Sequence, residues 1–206
     1  IEAGTKFAEQ ESYHSLGTFE FLVNTSSESP EFVFIEANAR LQVEHTVTEA
    51  VTGFDLVQSQ IQVAMGASLE SLGLAAPAQP RGFAVQARVN METLGADGGV
   101  LPSSGTLNAY EPPSGPGVRV DGFGYVGYQT STAFDSLLAK VIVGHSAPNF
   151  TAVCAKTLRA LAEFRIEGVN TNIEFLMNLI SHADFQSGDI HTRWDDVNMT
   201  SMAVPE

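Results

Sequence analysis

The sequence predicts an α+β fold, and three observations carry that prediction. Two aromatic and β-branched runs, Phe19–Val23 and Phe32–Glu36, flank a polar connection in the manner of a β-hairpin. Further along, Phe83, Val85, Ala87 and Val89 alternate with Gln86, Arg88 and Asn90, the period of a strand with one buried face. Elsewhere apolar residues recur at the three-to-four spacing of amphipathic helices.

Taken in order, the chain opens without an initiator Met, and Ile1 leads through helix-compatible sequence into a strand-like run. A segment of a longer polypeptide is the expectation. Residues Gly17 to Asn38 read as the hairpin, with Thr25–Glu31 as its connection. A polar stretch from Asn38 to His45 follows and does not suit a core element. The next helix takes Asp55 as N-cap, lines one face with Val57, Ile61 and Ala64, and stops at Gly66, a C′ glycine. Residues 67–82 are rich in Ala, Pro, Gly and Ser and read as a linker or a long surface crossing. After the strand at Phe83–Asn90, shorter strand-like pieces recur near Gly105–Tyr110, Val118–Asp121 and Leu137–Val143. A helix with Pro148 at its first position then carries Phe150, Cys154, Leu158 and Leu161 on one face. A last helix after Asn170 carries Ile173, Leu176, Met177 and Ile180.

Composition narrows the function classes. The chain has 206 residues, is 44% hydrophobic and carries a net charge of −14. That charge argues against nucleic acid or an anionic membrane as partner, because both demand a basic surface. No apolar run reaches the length of a bilayer span. Cys154 is the single cysteine, so an internal disulfide is ruled out and a reducing compartment such as the cytoplasm is expected. With ten Lys and Arg in all, each arginine becomes a candidate for any anion the protein handles.

The chemistry is concentrated in the hairpin and the polar stretch after it. A hairpin loop symmetric about Glu28 sets Glu20 opposite Glu36 on one face. Two carboxylates at cross-strand distance repel, and beside Phe32 and Phe34 they are costly unless a cation sits between them. Magnesium suits that role, since it takes oxygen ligands, one or two carboxylates among them. Asn38 is two residues beyond Glu36 and adds an amide oxygen on the same side. The competing reading is a register one residue off, with one glutamate at a solvated edge. Continued alternation projects Arg40, Gln42 and Glu44 toward the same place: Arg40 as a fork for a planar oxyanion, Glu44 as a general base. His45 fits a hydrogen-bonding prop better than a catalyst.

The segments Phe19–Leu22 and Ile35-Glu36-Ala37-Asn38-Ala39-Arg40-Leu41-Gln42-Val43-Glu44-His45-Thr46-Val47-Thr48-Glu49 closely resemble the signature of biotin carboxylases, ATP-grasp ligases. The resemblance continues through Gly53–Leu56, Arg81–Asn90, Leu101–Gly105, Phe134–Lys140, Gly168–Asn172 and Gly188–His191, and so covers nearly the whole chain.

The resemblance implies the end of an ATP-grasp antiparallel sheet over residues 1–76, with the metal and bicarbonate site. Over 77–206 it implies the biotin carboxylase C-terminal domain of small antiparallel strands and helices. It assigns Glu20, Glu36 and Asn38 to magnesium or manganese and the ATP phosphates. Arg40, Gln42 and Val43 go to bicarbonate, Glu44 to the base that deprotonates it, and Arg88 to bicarbonate and the enolate-like form of biotin. Leu22 and Ile190 match residues that sandwich adenine. The implied reaction is attack of bicarbonate on the γ-phosphate of ATP, giving carboxyphosphate, whose CO₂ passes to N1 of biotin on a carrier protein. Implied partners are the N-terminal half of the same enzyme, the biotin carrier, a carboxyltransferase and a second copy in a homodimer. The cytoplasm, or the mitochondrial matrix in a eukaryote, is the implied location.

The family's N-terminal domain, glycine-rich lid and ATP-binding lysines are absent from this sequence, so the segment alone is expected to be inert. Thr46 stands where a proline is usual. Pro116 occupies the neighbourhood of an aromatic that often supports the homodimer. Two alternatives are an ATP-grasp ligase of the carbamoyl-phosphate synthetase type, which shares the two-glutamate-plus-Asn pattern, and a non-catalytic interaction piece. Arg88 and the Phe134–Lys140 motif favour the biotin enzymes over the first.

Overall fold

The computed structural model describes residues 2–25, 31–95, 99–145, 149–194, 197, 198 and 202. Their contacts divide the chain into two compact units, residues 1–79 and 80–206. Helices and antiparallel strands make up both, an α+β architecture.

The first unit begins with α1 (Glu2–Gln10) and the hairpin of β1 (Thr18–Asn24) and β2 (Glu31–Asn38). Phe7 of α1 stands against Phe19, Phe21 and Phe34, with ring centroids 5.4–6.3 Å apart. A short 3-10 helix, Val43–His45, runs into α2 (Thr46–Thr52), and α3 (Leu56–Ala64) follows. The Asp55 carboxylate caps α3 by accepting from the Gln58 amide at 2.8 Å, and Glu49 Oε1 accepts from the Leu56 amide at 2.8 Å. Acids at a helix start satisfy free N–H groups and face the positive end of the dipole. Gly66, with φ of +95°, ends the helix in the left-handed region where glycine is favoured.

Two apolar surfaces of this unit are exposed. Val57, Ile61 and Ala64 do not face inward: Ile61 is 56% exposed and Val57 is exposed as well. Helical spacing identifies a stripe but not what covers it. The hairpin is likewise not buried, since every residue of β2 up to Ala37 is exposed, Phe32 at 57%. Among the described residues of this unit, only Thr46 is buried.

The second unit holds the core. Strand β3 (Phe83–Asn90) pairs with β8 (Leu137–His145), which pairs on its other side with β7 (Val118–Gly122), giving an antiparallel sheet in the order β3-β8-β7. Alternation sends Val85, Ala87, Val89, Ala139, Val141 and Val143 to one face. There they pack with Val153, Cys154, Ala160 and Leu161 of α4 (Phe150–Glu163). Phe83 departs from its expected core position; it is 43% exposed and meets the Phe150 ring edge-on. Helix α4 is capped by Asn149, whose side chain accepts from the Ala152 amide, so its first residue is Phe150. Pro148, expected there, lies outside the described residues. Helices α5 (Ile173–Ser181) and α6 (Ala183–Ser187) pack against α4.

Three short strands went unexpected. Strand β4 (Glu92–Leu94) pairs with β5 (Val100–Pro102), and β9 (Arg165–Glu167) pairs with β6 (Ala109–Glu111). Of the run Gly105–Tyr110, only its end belongs to a strand. Its beginning instead passes Gly168 so closely that a Cβ on Gly105 would strike the Gly168 carbonyl, and one on Gly168 the Thr106 carbonyl. Both positions therefore require glycine.

Candidate active site

Strands β1 and β2 deliver the carboxylates. Glu20 and Glu36 are direct cross-strand partners, but the reason differs from a symmetric loop. Beyond Glu20 the pairing is Phe21 with Phe34 and Leu22 with Val33, so Ile35 is an extra residue on β2. This bulge restores the glutamate pair. Asn38 lies between them: its Nδ2 donates to Glu36 Oε1 at 2.7 Å and to Glu20 Oε1 at 3.0 Å. Gln42 Nε2 reaches the same Glu20 oxygen at 3.3 Å.

The alternation does not run on to Glu44. Strand β2 stops at Asn38, the Arg40 amide turns back to the Asn38 carbonyl at 2.8 Å, and Val43–His45 is helical. The polar row is therefore two groups. Glu20, Glu36, Asn38 and Gln42 touch one another, whereas the exposed Arg40 side chain donates to the Leu41 carbonyl at 3.4 Å. Glu44 is half-buried in the 3-10 turn, next to the exposed Val43. The His45 ring lies between two hydroxyls, Thr18 Oγ1 at 3.0 Å and Thr48 Oγ1 at 3.1 Å. It ties the start of β1 to α2 and acts as a prop. Thr46 opens α2 with φ of −64°, the angle that proline would fix, so a threonine serves there without backbone cost.

The donor set suits a hard divalent cation. Two carboxylate oxygens converge on the Asn38 amide, and a half turn of that amide exchanges its NH₂ for oxygen. Gln42 Oε1 is buried and has no hydrogen-bond partner, so a further oxygen beside Glu20 is left unsatisfied. Such an acceptor is costly when buried unless something polar fills the space it faces. Carboxylate and amide oxygens in this number are the ligands magnesium and manganese prefer.

In the second unit, Arg88 stands on the face of β3 opposite the core, exposed, with Lys140 as its cross-strand partner. Asp121 of β7 is Lys140's partner on the other side. The Arg119 fork holds Asp121 at 2.7 and 2.8 Å, and Lys140 Nζ lies 3.5 Å away. Burial pushes the Asp121 carboxyl up, but the Arg119 guanidinium and the Lys140 ammonium together hold it below its ordinary value. Cys154 is inert by contrast: burial pushes its thiol up. Leu22, in the first unit, and Ile190, in the second, are each about half exposed, at 47% and 49%.

Sequence reasoning assigned no role to Asn172, whose side chain hydrogen-bonds the backbone on both sides of Val89. Its only sequence signal was membership of the Gly168–Asn172 motif.

Residues 86–196 match the family profile for the biotin carboxylase C-terminal domain, and residues 1–72 match that for the ATP-binding domain of the carbamoyl-phosphate synthase L chain. The chain belongs to the biotin carboxylase C-terminal domain family. Pyruvate carboxylase of Pichia angusta is 44% identical over 193 residues, which are 93% of this chain and 16% of that protein. A single-chain, multi-domain long-chain acyl-CoA carboxylase superposes with a TM-score of 0.92 at 45% identity, over 99% of this chain and 22% of that one. The biotin carboxylase domain dimer of Hydrogenobacter thermophilus 2-oxoglutarate carboxylase, solved with MgADP, ADP and bicarbonate, does so at 0.87 and 34%, over 100% and 43%. The chain thus spans about a sixth of the curated relatives it matches. Among the described residues no helix is long and apolar enough to cross a membrane.

Proposed function

We propose that this chain supplies the metal- and bicarbonate-binding wall of a biotin carboxylase, residues 1–76, and its C-terminal domain, 77–206. The activity is ATP- and bicarbonate-dependent carboxylation of biotin on a carrier protein. The observation that carries this reading is the convergence of Glu20 and Glu36 on Asn38 beside the unsatisfied Gln42 oxygen. Relatives named as carboxylases and a related domain solved with MgADP and bicarbonate support it.

Glu20, Glu36 and Asn38 would hold magnesium or manganese, which when bound offsets the charge of the nucleotide phosphates. Arg40, Gln42 and Val43 bind and orient bicarbonate, with the guanidinium fork of Arg40 matching its planar oxyanion. Glu44 takes the bicarbonate proton. The freed oxygen attacks the γ-phosphorus of ATP, ADP leaves, and carboxyphosphate forms. Its bond from carbon to the bridging oxygen then breaks, the released phosphate takes the proton from N1 of biotin, and N1 adds to the CO₂. Arg88 stabilises the negative charge that develops on the biotin ureido oxygen, a charge larger in the transition state than in the ground state. Leu22 and Ile190 flank adenine.

The partners of this reading are the preceding part of the same enzyme, the biotin carrier, a carboxyltransferase and, in a dimer, a second copy. Cytoplasm or mitochondrial matrix is the matching location. The name of the profile over residues 1–72 keeps the carbamoyl-phosphate alternative in view. The test uses the full-length protein that carries this segment, radiolabelled bicarbonate and biotin. ATP- and magnesium-dependent transfer of label to biotin is expected. ATP turnover that ignores biotin and follows ammonia or glutamine contradicts the reading.

A further inference from the structure

In the order β3-β8-β7, strand β3 is at an edge, so one side of its backbone has no strand neighbour. Three backbone groups on that side, at Arg88 and Asn90, are nevertheless paired, and Asn172 pairs them. Its Nδ2 donates to the Arg88 carbonyl at 3.1 Å, and its Oδ1 accepts from the Asn90 amide at 2.9 Å. Its own amide donates to the Asn90 carbonyl at 3.2 Å. A carbonyl at one residue and an N–H two residues on point to the same edge of a strand. One side chain and one peptide group of Asn172 thus imitate a missing strand.

Two features single out this contact. Asn172 is the N-cap residue of α5, a position where asparagine ordinarily caps its own helix, yet its side chain makes no capping bond. It is spent on β3 instead, and the residue is 7% exposed. The latch also falls where the opposite edge weakens: the β3–β8 register slips between Val89 and Asn90. The segment before α5 is itself fixed by the close passage of Gly168 at Gly105 and by the Asn170 amide donating to Ser103 Oγ at 2.9 Å. On the other flank, Asn90 Nδ2 and Ser136 Oγ both donate to the Glu92 carboxylate, at 2.9 and 2.7 Å.

We infer that Asn172 is a positioning residue for the reaction, holding the backbone at Arg88 so that its guanidinium is aimed at the reacting groups. The inference rests on the role proposed above for Arg88. Charge stabilisation in a transition state depends on donors fixed before the reaction, so a backbone free to shift at Arg88 lowers turnover while leaving nucleotide binding alone.

The test is a double-mutant cycle in the full-length carboxylase with Asn172→Ala and Arg88→Met, read by biotin-dependent turnover, KM for ATP and hydrogen exchange of the Asn90 amide. Asn172→Ala is expected to speed exchange at Asn90, lower kcat by about 10- to 100-fold and leave the KM for ATP unchanged. In the Arg88→Met background the same change should alter kcat by less than about twofold, because coupled residues are not additive. Asn172→Asp keeps the acceptor and loses the donor to Arg88; it runs the same cycle if the alanine variant does not fold. Unchanged kcat despite faster exchange, or losses that multiply fully in the double variant, overturns the inference while Arg88 keeps its role. Wild-type turnover by Arg88→Met overturns the parent reading and this one with it.

Discussion

The two units keep their functional residues in place by different means. In residues 80–206, Arg88 stands on a strand whose reverse face is solid core, with Val89, Val141 and Val143 fully buried. In residues 1–79 the glutamates stand on a two-stranded ribbon with exposed apolar side chains, and only Thr46 is buried among the described residues. There the site is held by polar contacts: Asn38 between the glutamates, Gln42 on Glu20, and His45 between Thr18 and Thr48. The lesson is that a packed core, pinned at its edge by the hydrogen bonds of Asn172, sets the geometry in one unit, and hydrogen bonding without a buried core sets it in the other. Substitutions in the two should therefore separate stability from activity differently.

The largest effect is expected at Arg88. Its side chain points away from the core, so Arg88→Met in the full-length enzyme should shift stability by roughly 0–1 kcal/mol. Carboxylation should fall on the order of 100- to 1,000-fold, the cost of losing a charge that acts in the transition state. Turnover with biotin and a thermal melt together check this. A large loss of melting temperature would place Arg88 among the structural residues and blur the contrast between its two strand faces.

Next in size is the difference between the cores themselves. Leu161→Ala removes a fully buried side chain of α4 and should cost about 2–5 kcal/mol by denaturant unfolding. Ile61→Ala, on the exposed stripe of α3, should stay within about 0.5 kcal/mol in the 206-residue chain. Equal costs at the two positions would break the comparison.

A smaller, pH-dependent effect sharpens it. Asp121 is held below its ordinary value in the folded state by Arg119 and Lys140. A depressed folded value means the contribution is present above the unfolded value, near pH 3.9, and is lost as pH falls through the folded one. Wild type should exceed Asp121→Asn in stability at neutral pH by at most about 1 kcal/mol, since the pair is partly solvated. As pH falls through the depressed folded value the difference should vanish. A gap that widens in acid would mean the ion pairs do not hold Asp121.

Much of this was legible in the sequence where a period or a cap marked it. Val85, Ala87 and Val89 alternate and are buried; Asp55 and Gly66 bound α3 as their chemistry requires. What escaped has physical reasons. Strands β4, β5 and β9 are three residues each, too short to show a period. The bulge at Ile35 leaves no trace in composition, and the backbone leaves the extended state after Asn38, so alternation could not reach Glu44. An apolar stripe such as Val57–Ile61 says nothing of what lies against it. The contacts of Asn172 join residues 82 and 84 positions apart, beyond any local pattern.

The smallest expected change in stability gives the most direct test of the central claim, that Glu20 and Glu36 are kept close for a cation. Facing carboxylates destabilise a strand pair, so an acid retained there without structural gain is retained for a ligand. In the full-length protein without metal, Glu36→Gln should melt at the wild-type temperature or above it. With magnesium and ADP, wild type should rise in melting temperature and the variant should rise clearly less, because ligand binding to the folded state adds to stability. A variant that melts well below wild type without metal, or gains as much from magnesium and ADP, would show that Glu36 serves the fold and not the metal.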